Sequence, residues 1–524
     1  MTRRARTLMV QGTASTVGKS TLVTGLCRIF AEEGLRVAPF KAQNMALNSF
    51  VTRDGREMGR AQVVQAEAAG IEPRVEMNPV LLKPEGESRS QVIVMGRPLA
   101  TLEARDYWRN RSGLLDIVRD ALETLRQEYD LVIIEGAGSP VELNLARNDI
   151  VNMQVARLAD APVLLVGDID RGGIFASLLG TLMLLPPEDR DRVKGLIVNK
   201  FRGDLALWRD GEQMLGERSG VSVLGTLPLF TGITIAEEDS VPLDNTLAHS
   251  LRQQGKGGAT LEIVVVRLPY LSNYDEFDAL AAEPSVRLRF AAHPDEFPDH
   301  PDLVILPGTK STLHDLAWLW RNGLAPHIRR LAAEGCAVFG ICGGYQMLGE
   351  RIADPAGAEA ETGAVEPGLD LLPVETVFLA AHEKVTLRTT AQVNASATRG
   401  LFAHLDASPF GAYQIHMGRT APYGEATDGA SAFRLTTGEV DGWINVSGWI
   451  AGCYLHGLYE NDPFRHGVIA ALMARREIAG QTPVATMTFD RHREYSKLAA
   501  VLRAHLDIDQ IRAISKLVVT SRNG

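Results

Sequence analysis

The stretch Gly12-Thr-Ala-Ser-Thr-Val-Gly18-Lys19-Ser20-Thr21 decides the fold of the first half of the chain. The apolar run TLMV at 7–10 precedes it, and the helix-length segment TLVTGLCRIFAEEG follows it from Thr21. A glycine-rich loop between a strand and a helix directs backbone N–H groups and a helix N-terminus at one point, where they bind phosphate. The sequence therefore predicts a phosphate-binding loop in an α/β nucleotide-binding domain.

The side chains of this loop suit a nucleoside triphosphate. Lys19 is expected to neutralise the β- and γ-phosphate oxygens, and the Ser20 hydroxyl to bind Mg²⁺. Five residues rather than four separate the two glycines. A plain glycine-rich turn is the alternative interpretation, but the strand before and the helix after favour ATP. The residues predicted to bind ATP in this loop are Gly12, Thr13, Gly18, Lys19, Ser20 and Thr21.

Further short apolar runs alternate with helix-length segments, namely LVII (131–134), VLLV (163–166) and GLIV (195–198). This alternation predicts a parallel sheet covered by helices. Ligands of such sheets collect at the carboxyl ends of the strands. Glu135, directly after the first of these runs, is therefore predicted to be a Mg²⁺ ligand.

Other polar residues also follow strand-like runs. Lys41, in VAPFKAQ, is expected to be a second cation near the phosphates, and Asn199, closing GLIVN, could read the adenine edge. Asp168 and Asp170 end another apolar run. They fit either a metal site or the cap of the following helix, and the sequence leaves both open.

A polar, glycine-rich interruption, RQQGKGG at 252–258, separates two series of strands. The second series contains IVVV (263–266), LVIL (303–306) and AVFGI (337–341). We therefore predict an ATP-binding domain at 1–251, a linker at 252–258 and a second α/β domain at 259–475. The remaining residues, 476–524, are predicted to form a helical segment that packs on the second domain.

Cys342 lies at the centre of Gly340-Ile-Cys-Gly-Gly344, between an apolar strand and a helix. A nucleophile held at such a strained turn needs glycines beside it, because larger side chains would collide with the strand or the helix. The helix N-terminus also favours a thiolate. The backbone N–H groups of Gly343 and of Gly308, after LVIL, are predicted to form an oxyanion hole.

Acyl transfer by a thiol also needs a base. His456, in GCYLHGLYEN, lies at a predicted strand end and is our candidate, with His416 in GAYQIHMGRT as the rival. Cys336 and Cys453 are expected to be structural. The sequence thus predicts a Cys342–His456 pair.

Composition limits the class of protein. The chain has 524 residues, a formal charge of -10 and no basic block, which argues against a general nucleic-acid binder. Four scattered cysteines fit a reducing cytoplasm rather than a disulfide framework. No run approaches the roughly 18 apolar residues of a membrane span. We expect a cytoplasmic protein without a membrane or nucleic-acid partner.

These motifs together resemble the cobyric acid synthase family over nearly the whole chain. In the first half the resemblance rests on VAPFKAQNMALNSFVTRDGREMGRAQVVQA, MNPVLLKP, EGAGSPVELNL, DIVNM, DIDRGGIFAS and VNKFRGD. In the second half it rests on LPGTKSTLHDLAWL, FGICGGYQMLG and YLHGLYEN. The phosphate loop with its extra residue is similar to that of the dethiobiotin synthetase group, and the second half resembles class I glutamine amidotransferases.

The resemblance implies that Cys342 attacks glutamine and that His456 is its base. Many class I members carry a glutamate two residues after this histidine, where this chain has Leu458, so Glu460 or a backbone carbonyl is expected to orient His456. Gln414 is a second departure, since glutamate is expected there.

The resemblance also implies the substrates. Glutamine would supply ammonia, and ATP with Mg²⁺ would activate carboxylates of a corrinoid, adenosylcobyrinic acid a,c-diamide, at positions b, d, e and g. Two alternatives stay open. One is the a,c-diamide synthase of the same pathway, and the other is a partition-type or regulatory P-loop ATPase with an inactive glutaminase-like module. The oligomeric state is left undetermined.

Overall fold

The computed structural model describes residues 4–85, 89–103, 112–144, 149–236, 261–380, 383–424, 428–476 and 487–517. These residues form two compact units. The first comprises 4–46, 58–236 and 490–517, and the second comprises 47–57 and the described residues from 261 to 489. The expected linker, 252–258, lies outside the described residues.

The strands are, in chain order, β1 Arg6–Gly12, β2 Val37–Phe40, β3 Gln43–Met45, β4 Ser49–Val51, β5 Glu57–Gly59, β6 Val80–Glu85, β7 Arg89–Val94, β8 Arg97–Glu103, β9 Leu131–Glu135, β10 Val163–Asp168, β11 Val193–Phe201, β12 Val223–Pro228, β13 Leu261–Val266, β14 Val286–Ala291, β15 Leu303–Leu306, β16 Ala337–Ile341, β17 Arg351–Asp354, β18 Ala364–Pro367, β19 Val374–Phe378, β20 Val385–Val393, β21 Phe410–His416, β22 Gly418–Pro422, β23 Ala430–Leu435, β24 Val440–Ile444 and β25 Ile450–Cys453.

The α-helices are α1 Lys19–Glu32, α2 Arg60–Ala68, α3 Ser112–Glu128, α4 Met153–Ala159, α5 Ile174–Leu184, α6 Pro187–Arg190, α7 Arg209–Ser219, α8 Asp278–Ala281, α9 Thr312–Arg321, α10 Leu324–Ala333, α11 Gly343–Leu348, α12 Asp462–Arg475, α13 Arg491–His505 and α14 Ile508–Ile514. None of the helices in the described part of the chain is both long and apolar enough to cross a membrane.

The first unit is built on a six-stranded sheet in the order β12-β11-β10-β1-β9-β2. Every pairing in this sheet is parallel. The four apolar runs of the first half form β1, β9, β10 and β11, and their side chains are buried because helices cover both faces. The predicted parallel sheet is therefore confirmed. A smaller sheet, β3-β6-β7-β8, completes the unit.

The C-terminal helix α13 packs on α1 of the first unit, so the expectation that the terminal segment packs on the second domain is wrong. Leu498 and Leu502 of α13 lie one turn apart in the core that includes Leu22 and Leu26 of α1. Gly25 of α1 carries no Cβ, and a Cβ there would collide with Leu502. The complementary face on α1, rather than nearness in sequence, decides where this helix docks.

The second unit is built on a nine-stranded sheet in the order β14-β13-β15-β16-β25-β24-β23-β20-β21. The pairings from β14 to β25 are parallel, and those from β25 to β21 are antiparallel. The three predicted runs form β13, β15 and β16 in the parallel part. Their carboxyl ends lie at one edge, which places the loops after β15, β16 and β25 together.

The two-stranded sheet β4-β5 departs from the predicted boundary. Residues 47–57, which we expected in the first domain, belong to the second unit. Phe50 and Val51 pack there against Tyr413 and Ile415 of β21. Apolar contacts of this short segment therefore override its position in the sequence.

Candidate functional site

The predicted phosphate loop connects β1 to α1 and is held by hydrogen bonds within the loop and to neighbouring segments. Gly18 has φ of 98°, in the left-handed region that favours glycine. Thr13 N–H donates to Val166 O of the neighbouring strand at 2.9 Å. Nζ of Lys19 donates to the carbonyl oxygens of Ala14 at 2.9 Å and Gly138 at 3.2 Å. The Lys19 ammonium thus lies inside the loop.

Glu135 is hydrogen-bonded to two of the other predicted site residues, Ser20 and Lys41. Its Oε1 accepts hydrogen bonds from Ser20 Oγ at 2.8 Å and from Lys41 Nζ at 3.0 Å. Parallel pairing brings this carboxylate to the loop, because Glu135 at the end of β9 lies opposite Val10 of β1. Gln65 of α2, which the sequence did not point to, donates from Nε2 to Oε2 at 2.6 Å.

The charge of this cluster is set by its pairing. Burial opposes ionisation of Glu135, but the adjacent Lys41 ammonium and hydrogen bonds, including the one from Ser20, hold the pKa of Glu135 below its usual value. Both members of the ion pair are buried, with side-chain exposures of 5% for Lys41 and 0% for Glu135. Glu135 is therefore an ionised carboxylate with two oxygens beside the phosphate loop.

Asn199 supports the phosphate loop. Its Nδ2 donates to Val17 O at 2.8 Å and its Oδ1 accepts from Lys200 N–H at 2.9 Å. The amide that we expected to read adenine is thus occupied by the backbone of the loop and of its own strand. Lys200 Nζ donates to Thr16 O at 2.7 Å, so a second side chain from the end of β11 holds the same loop.

Asp168 and Asp170 do not cap the following helix. That helix, α5, starts at Ile174 after Gly173 and has no side-chain cap. Asp168 pairs with Lys200 at 3.1 Å, and Asp170 accepts from Arg202 Nε at 2.5 Å. Of the two interpretations that the sequence left open, capping is wrong.

Cys342 lies at a sharp turn between β16 and α11. Its φ of 52° and ψ of -110° are unusual for a residue with a side chain, as expected for a strained nucleophile elbow. Added Cβ atoms at Gly340 and Gly344 would collide with neighbouring backbone, so the predicted need for glycine is met at both positions. The sulfur donates to Ile415 O at 3.4 Å.

The two glycines predicted for the oxyanion hole lie beside Cys342 and His456. A Cβ on Gly308 would come within 2.8 Å of His456 Cε1, which shows that this loop runs against the imidazole. A Cβ on Gly343 would come within 3.3 Å of Thr309 N. The loop after β15 and the start of α11 therefore meet at Cys342.

His456, the base predicted from the sequence, lies against Cys342 in the structure. The imidazole interacts with the Cys342 sulfur through a hydrogen bond, and its Nδ1 lies 3.1 Å from Oε1 of Glu276. Oε2 of the same carboxylate accepts from Gly457 N–H at 3.1 Å. Glu276, not Glu460, orients the ring. Leu458, at the position where many class I enzymes have glutamate, is fully buried in the core.

The environment of His456 favours its protonated form. Burial alone would lower the pKa of His456, but the Glu276 carboxylate and the hydrogen bond with Cys342 raise it to about 10. An imidazolium at neutral pH next to a sulfur stabilises a thiolate and can return a proton to a leaving group.

His416, the rival base, is used differently. Its Nδ1 lies 2.8 Å from Gly418 O, and its ring stacks on Tyr454 with 3.7 Å between centroids. Burial lowers the pKa of His416 to about 4, so the ring is neutral at pH 7. Gln414, two residues before His416, forms a hydrogen bond with Asp441, which is itself buried. A glutamate at 414 would place two buried carboxyl groups against each other.

The remaining cysteines are structural, as expected for Cys336 and Cys453. Cys27 and Cys453 are buried, Cys336 is half-buried, and all four cysteines are unpaired. Burial raises the pKa of Cys453 well above its usual value, which keeps this thiol protonated. Cys342 is hydrogen-bonded to a histidine, His456.

Comparisons with known proteins agree with this geometry. Residues 8–243 match the family described as the CobQ/CobB/MinD/ParA nucleotide binding domain, and 262–464 match the CobB/CobQ-like glutamine amidotransferase domain. A cobyric acid synthase of Dehalococcoides mccartyi is 48% identical, covering 98% of this chain and 98% of that protein. One of Sorangium cellulosum is 50% identical, covering 96% and 97%. One of Roseiflexus castenholzii is 52% identical, covering 88% and 91%.

These relatives fit the first interpretation of the sequence and neither of its two alternatives. The predicted fold class, a P-loop parallel-sheet domain followed by a class I amidotransferase-like α/β domain, is confirmed. Because the identity extends over nearly the whole chain and both domain families are matched, the chain belongs to the cobyric acid synthase family, glutamine-dependent amidating ligases of cobalamin biosynthesis.

Proposed function

We propose that this enzyme converts the b, d, e and g carboxylates of adenosylcobyrinic acid a,c-diamide to amides, using one ATP and one glutamine for each and yielding cobyric acid. The observation that carries the proposal is the presence, in one chain of this family, of a Cys342–His456–Glu276 constellation and a phosphate loop with a carboxylate beside it. We place the reaction in the cytoplasm, in keeping with four unpaired cysteines.

Ammonia is released in the second unit. The Cys342 thiolate attacks the side-chain carbonyl carbon of glutamine, and the protonated His456 gives its proton to the departing ammonia. Glu276 keeps the imidazole in place and stabilises its positive charge. Backbone N–H groups at Gly308 and Gly343 would stabilise the oxyanion. Water then hydrolyses the thioester and releases glutamate.

The carboxylate is activated in the first unit. Ammonia cannot displace oxide from a carboxylate, so an oxygen of the carboxylate attacks the γ-phosphorus of ATP and ADP leaves. Ammonia then attacks the acyl carbon and phosphate departs. Lys19 would bind the transferring phosphoryl group, as would Lys41 once released from Glu135. The loop residues from Gly12 to Thr21 would hold the phosphates through their backbone.

The donor set of the first unit fits Mg²⁺. Ser20 Oγ and Glu135 Oε1 are oxygen ligands 2.8 Å apart, and Mg²⁺ is usually held by one or two protein oxygens together with phosphates and water. Among the described residues no group of three or more His, Cys, Asp or Glu side chains could form a dedicated metal site. When bound, Mg²⁺ would neutralise charge on the phosphates. Glu135 and Ser20 would hold it in place.

The test is to offer the purified enzyme ATP, Mg²⁺ and glutamine together with either cobyrinic acid or adenosylcobyrinic acid a,c-diamide. Mass spectrometry of the corrinoid should show four successive amide conversions on the a,c-diamide, with ADP and glutamate formed in step. Two conversions on cobyrinic acid, with none on the a,c-diamide, would contradict the proposal and indicate an a,c-diamide synthase.

A further inference from the structure

The hairpin formed by β4 and β5, residues Ser49 to Gly59, reaches the glutaminase residues of the second unit through its first strand. Its turn is closed by its own polar groups: Thr52 N–H donates to Arg56 O at 2.8 Å, and Thr52 Oγ1 donates to Asp54 Oδ1 at 2.5 Å. Glu57 pairs with Lys384 in a buried ion pair at 2.5 Å, with side-chain exposures of 1% and 6%. The hairpin is thus closed at its turn and anchored by its second strand.

The residue before the hairpin is bound to the segment that carries Glu276. Asn48 Oδ1 accepts from Asn273 N–H at 2.7 Å, and Asn273 Oδ1 accepts from Ser49 N–H at 2.8 Å. All three residues are buried. Asn273 has φ of 56° and directly precedes the short helix Tyr274–Phe277, in which Glu276 lies. This reciprocal pair therefore fixes the start of the turn that presents the carboxylate to His456.

The first strand of the hairpin is also linked to the His456 imidazole through the ring of Tyr413. Phe50 contacts Tyr413 with 5.2 Å between ring centroids, and Tyr413 stacks on His456 at 5.3 Å with an interplanar angle of 18°. Tyr413 is bound to His456 by backbone as well, since His456 N–H donates to Tyr413 O at 2.8 Å. A displacement of Phe50 would therefore shift the ring of Tyr413, which stacks on His456.

The sulfur is reached by the same strand. Val51 of the hairpin packs with Ile415, and the carbonyl oxygen of Ile415 accepts from the Cys342 sulfur. The first strand of the hairpin and the residue before it thus contact a neighbour of each site residue. Asn48 binds Asn273 near Glu276, Phe50 contacts Tyr413 beside His456, and Val51 packs on Ile415 beside Cys342.

We propose that the β4–β5 hairpin is a positioning element of the glutaminase site, supplied by a segment that the sequence places inside the ATP-binding half. In the sequence the hairpin lies between Lys41 and Gln65, and both of these residues donate hydrogen bonds to Glu135. Glutamine hydrolysis in this enzyme therefore depends on a segment covalently continuous with the carboxylate-activating site. The inference rests on the proposed roles of Cys342 and His456.

The experiment compares Asn48→Ala and Phe50→Ala with the wild-type enzyme, with Phe50→Tyr as the conservative variant and Arg53→Ala, at the exposed turn of the same hairpin, as the matched control. Glutaminase kcat, the KM for glutamine and the pH profile of kcat/KM would be measured, along with amidation driven by ammonium chloride. We expect the first two variants to lose about ten- to a hundredfold in glutaminase kcat, because small misplacements of catalytic groups have effects of this size.

The pattern across assays distinguishes positioning from loss of the fold. KM for glutamine and ammonia-driven amidation should stay within about twofold of wild type, the alkaline limb of the pH profile should shift, and Phe50→Tyr should restore kcat. The inference is overturned if both alanine variants hydrolyse glutamine like wild type, or if they lose ammonia-driven amidation to the same extent. If the wild-type enzyme itself releases no glutamate, the proposed function has failed instead. Should Asn48→Ala not fold, Phe50→Ala and Phe50→Tyr decide alone.

Discussion

Oε1 of Glu276 lies 3.1 Å from Nδ1 of His456, although 180 residues separate the two in sequence. The other oxygen of the carboxylate accepts from Gly457 N–H, the residue after the histidine. One side chain thus fixes both the ring and the backbone that carries it. Since Nδ1 faces Glu276, Nε2 is the nitrogen left for the Cys342 sulfur.

Replacing Glu276 by glutamine should weaken the glutaminase reaction without affecting the ATP site. The neutral amide no longer stabilises the imidazolium, so the raised pKa of His456, about 10 in the native enzyme, should fall towards its ordinary value. The acid form is then lost at lower pH, and the alkaline limb of the kcat/KM profile should move down. We expect kcat for glutamine hydrolysis to drop about 10²-fold, within the range of general acid–base contributions.

The matched control is Glu460→Gln, since Glu460 lies four residues after the same histidine, whereas the carboxylate at Nδ1 of the ring is that of Glu276. It should keep the wild-type profile. An unchanged pH profile in Glu276→Gln, or a loss confined to Glu460→Gln, would show that another group orients His456.

Cys342→Ser should abolish glutamine-dependent amidation and leave ammonia-dependent amidation intact. A serine hydroxyl at this turn is a much weaker nucleophile than a thiolate, and no ATP-binding residue is altered. Production of amide from ammonium chloride measures the second activity in the same preparation. Cys336→Ser, at a half-buried cysteine without a histidine partner, serves as the control and should retain both activities.

A pH effect on stability is expected from Asp441. Burial raises the pKa of Asp441 to about 7, despite hydrogen bonds from Tyr454 N–H and Gln414. Between its unfolded value near 4 and about 7 the native state binds more protons than the unfolded state, so stability falls as pH rises through this window. Asp441→Asn should therefore flatten the decline in unfolding free energy measured by urea titration between pH 5 and 8. A parallel decline in both proteins would contradict this.

Much of the fold and of the site was predictable because parallel sheets collect functional residues at strand ends. Glu135 and Cys342 each follow an apolar run, and both lie in the clusters that such runs predict. His456 follows β25 in the same way. Local patterns therefore located these candidate side chains at the strand ends where the structure places them.

The features that could not be predicted from the sequence depend on contacts between residues far apart in the chain. Glu276 lies in a short helical turn after β13, with no strand-end or motif signal, and only the folded chain shows that it faces His456. Residues 47–57 and α13 each belong to the unit that their neighbours in sequence did not suggest. The choice of surface follows from partners far away in sequence, Tyr413 for the hairpin and Gly25 for the helix.

Truncating Leu502 should test the docking of α13 on the first unit. The side chain is fully buried against α1, so Leu502→Ala leaves a cavity and should lower the unfolding free energy of that unit by about 2–5 kcal/mol. Leu207→Ala, at a side chain that is 85% exposed, is the control and should change it by less than about 0.5 kcal/mol. Thermal unfolding with and without ATP would measure the stability of both variants. Equal stability of the two variants would show that α13 contributes little to the unit.

Glu135→Gln should separate nucleotide chemistry from ammonia production. The change removes a carboxylate that accepts hydrogen bonds from Ser20 and Lys41, and with it the negative charge of Glu135 beside the buried Lys41 ammonium. The pKa of that lysine should then fall, and the affinity for Mg²⁺ should weaken, because an amide oxygen is a poorer ligand than a carboxylate. ATP-dependent amidation is therefore expected to drop by more than 10²-fold with either glutamine or ammonia, whereas basal glutaminase activity persists. Raising the Mg²⁺ concentration should recover part of the rate in Glu135→Gln but none in Lys19→Ala, since only the first variant lacks the proposed metal ligand. If added Mg²⁺ has the same effect on both variants, Glu135 serves to hold Lys41 rather than the metal.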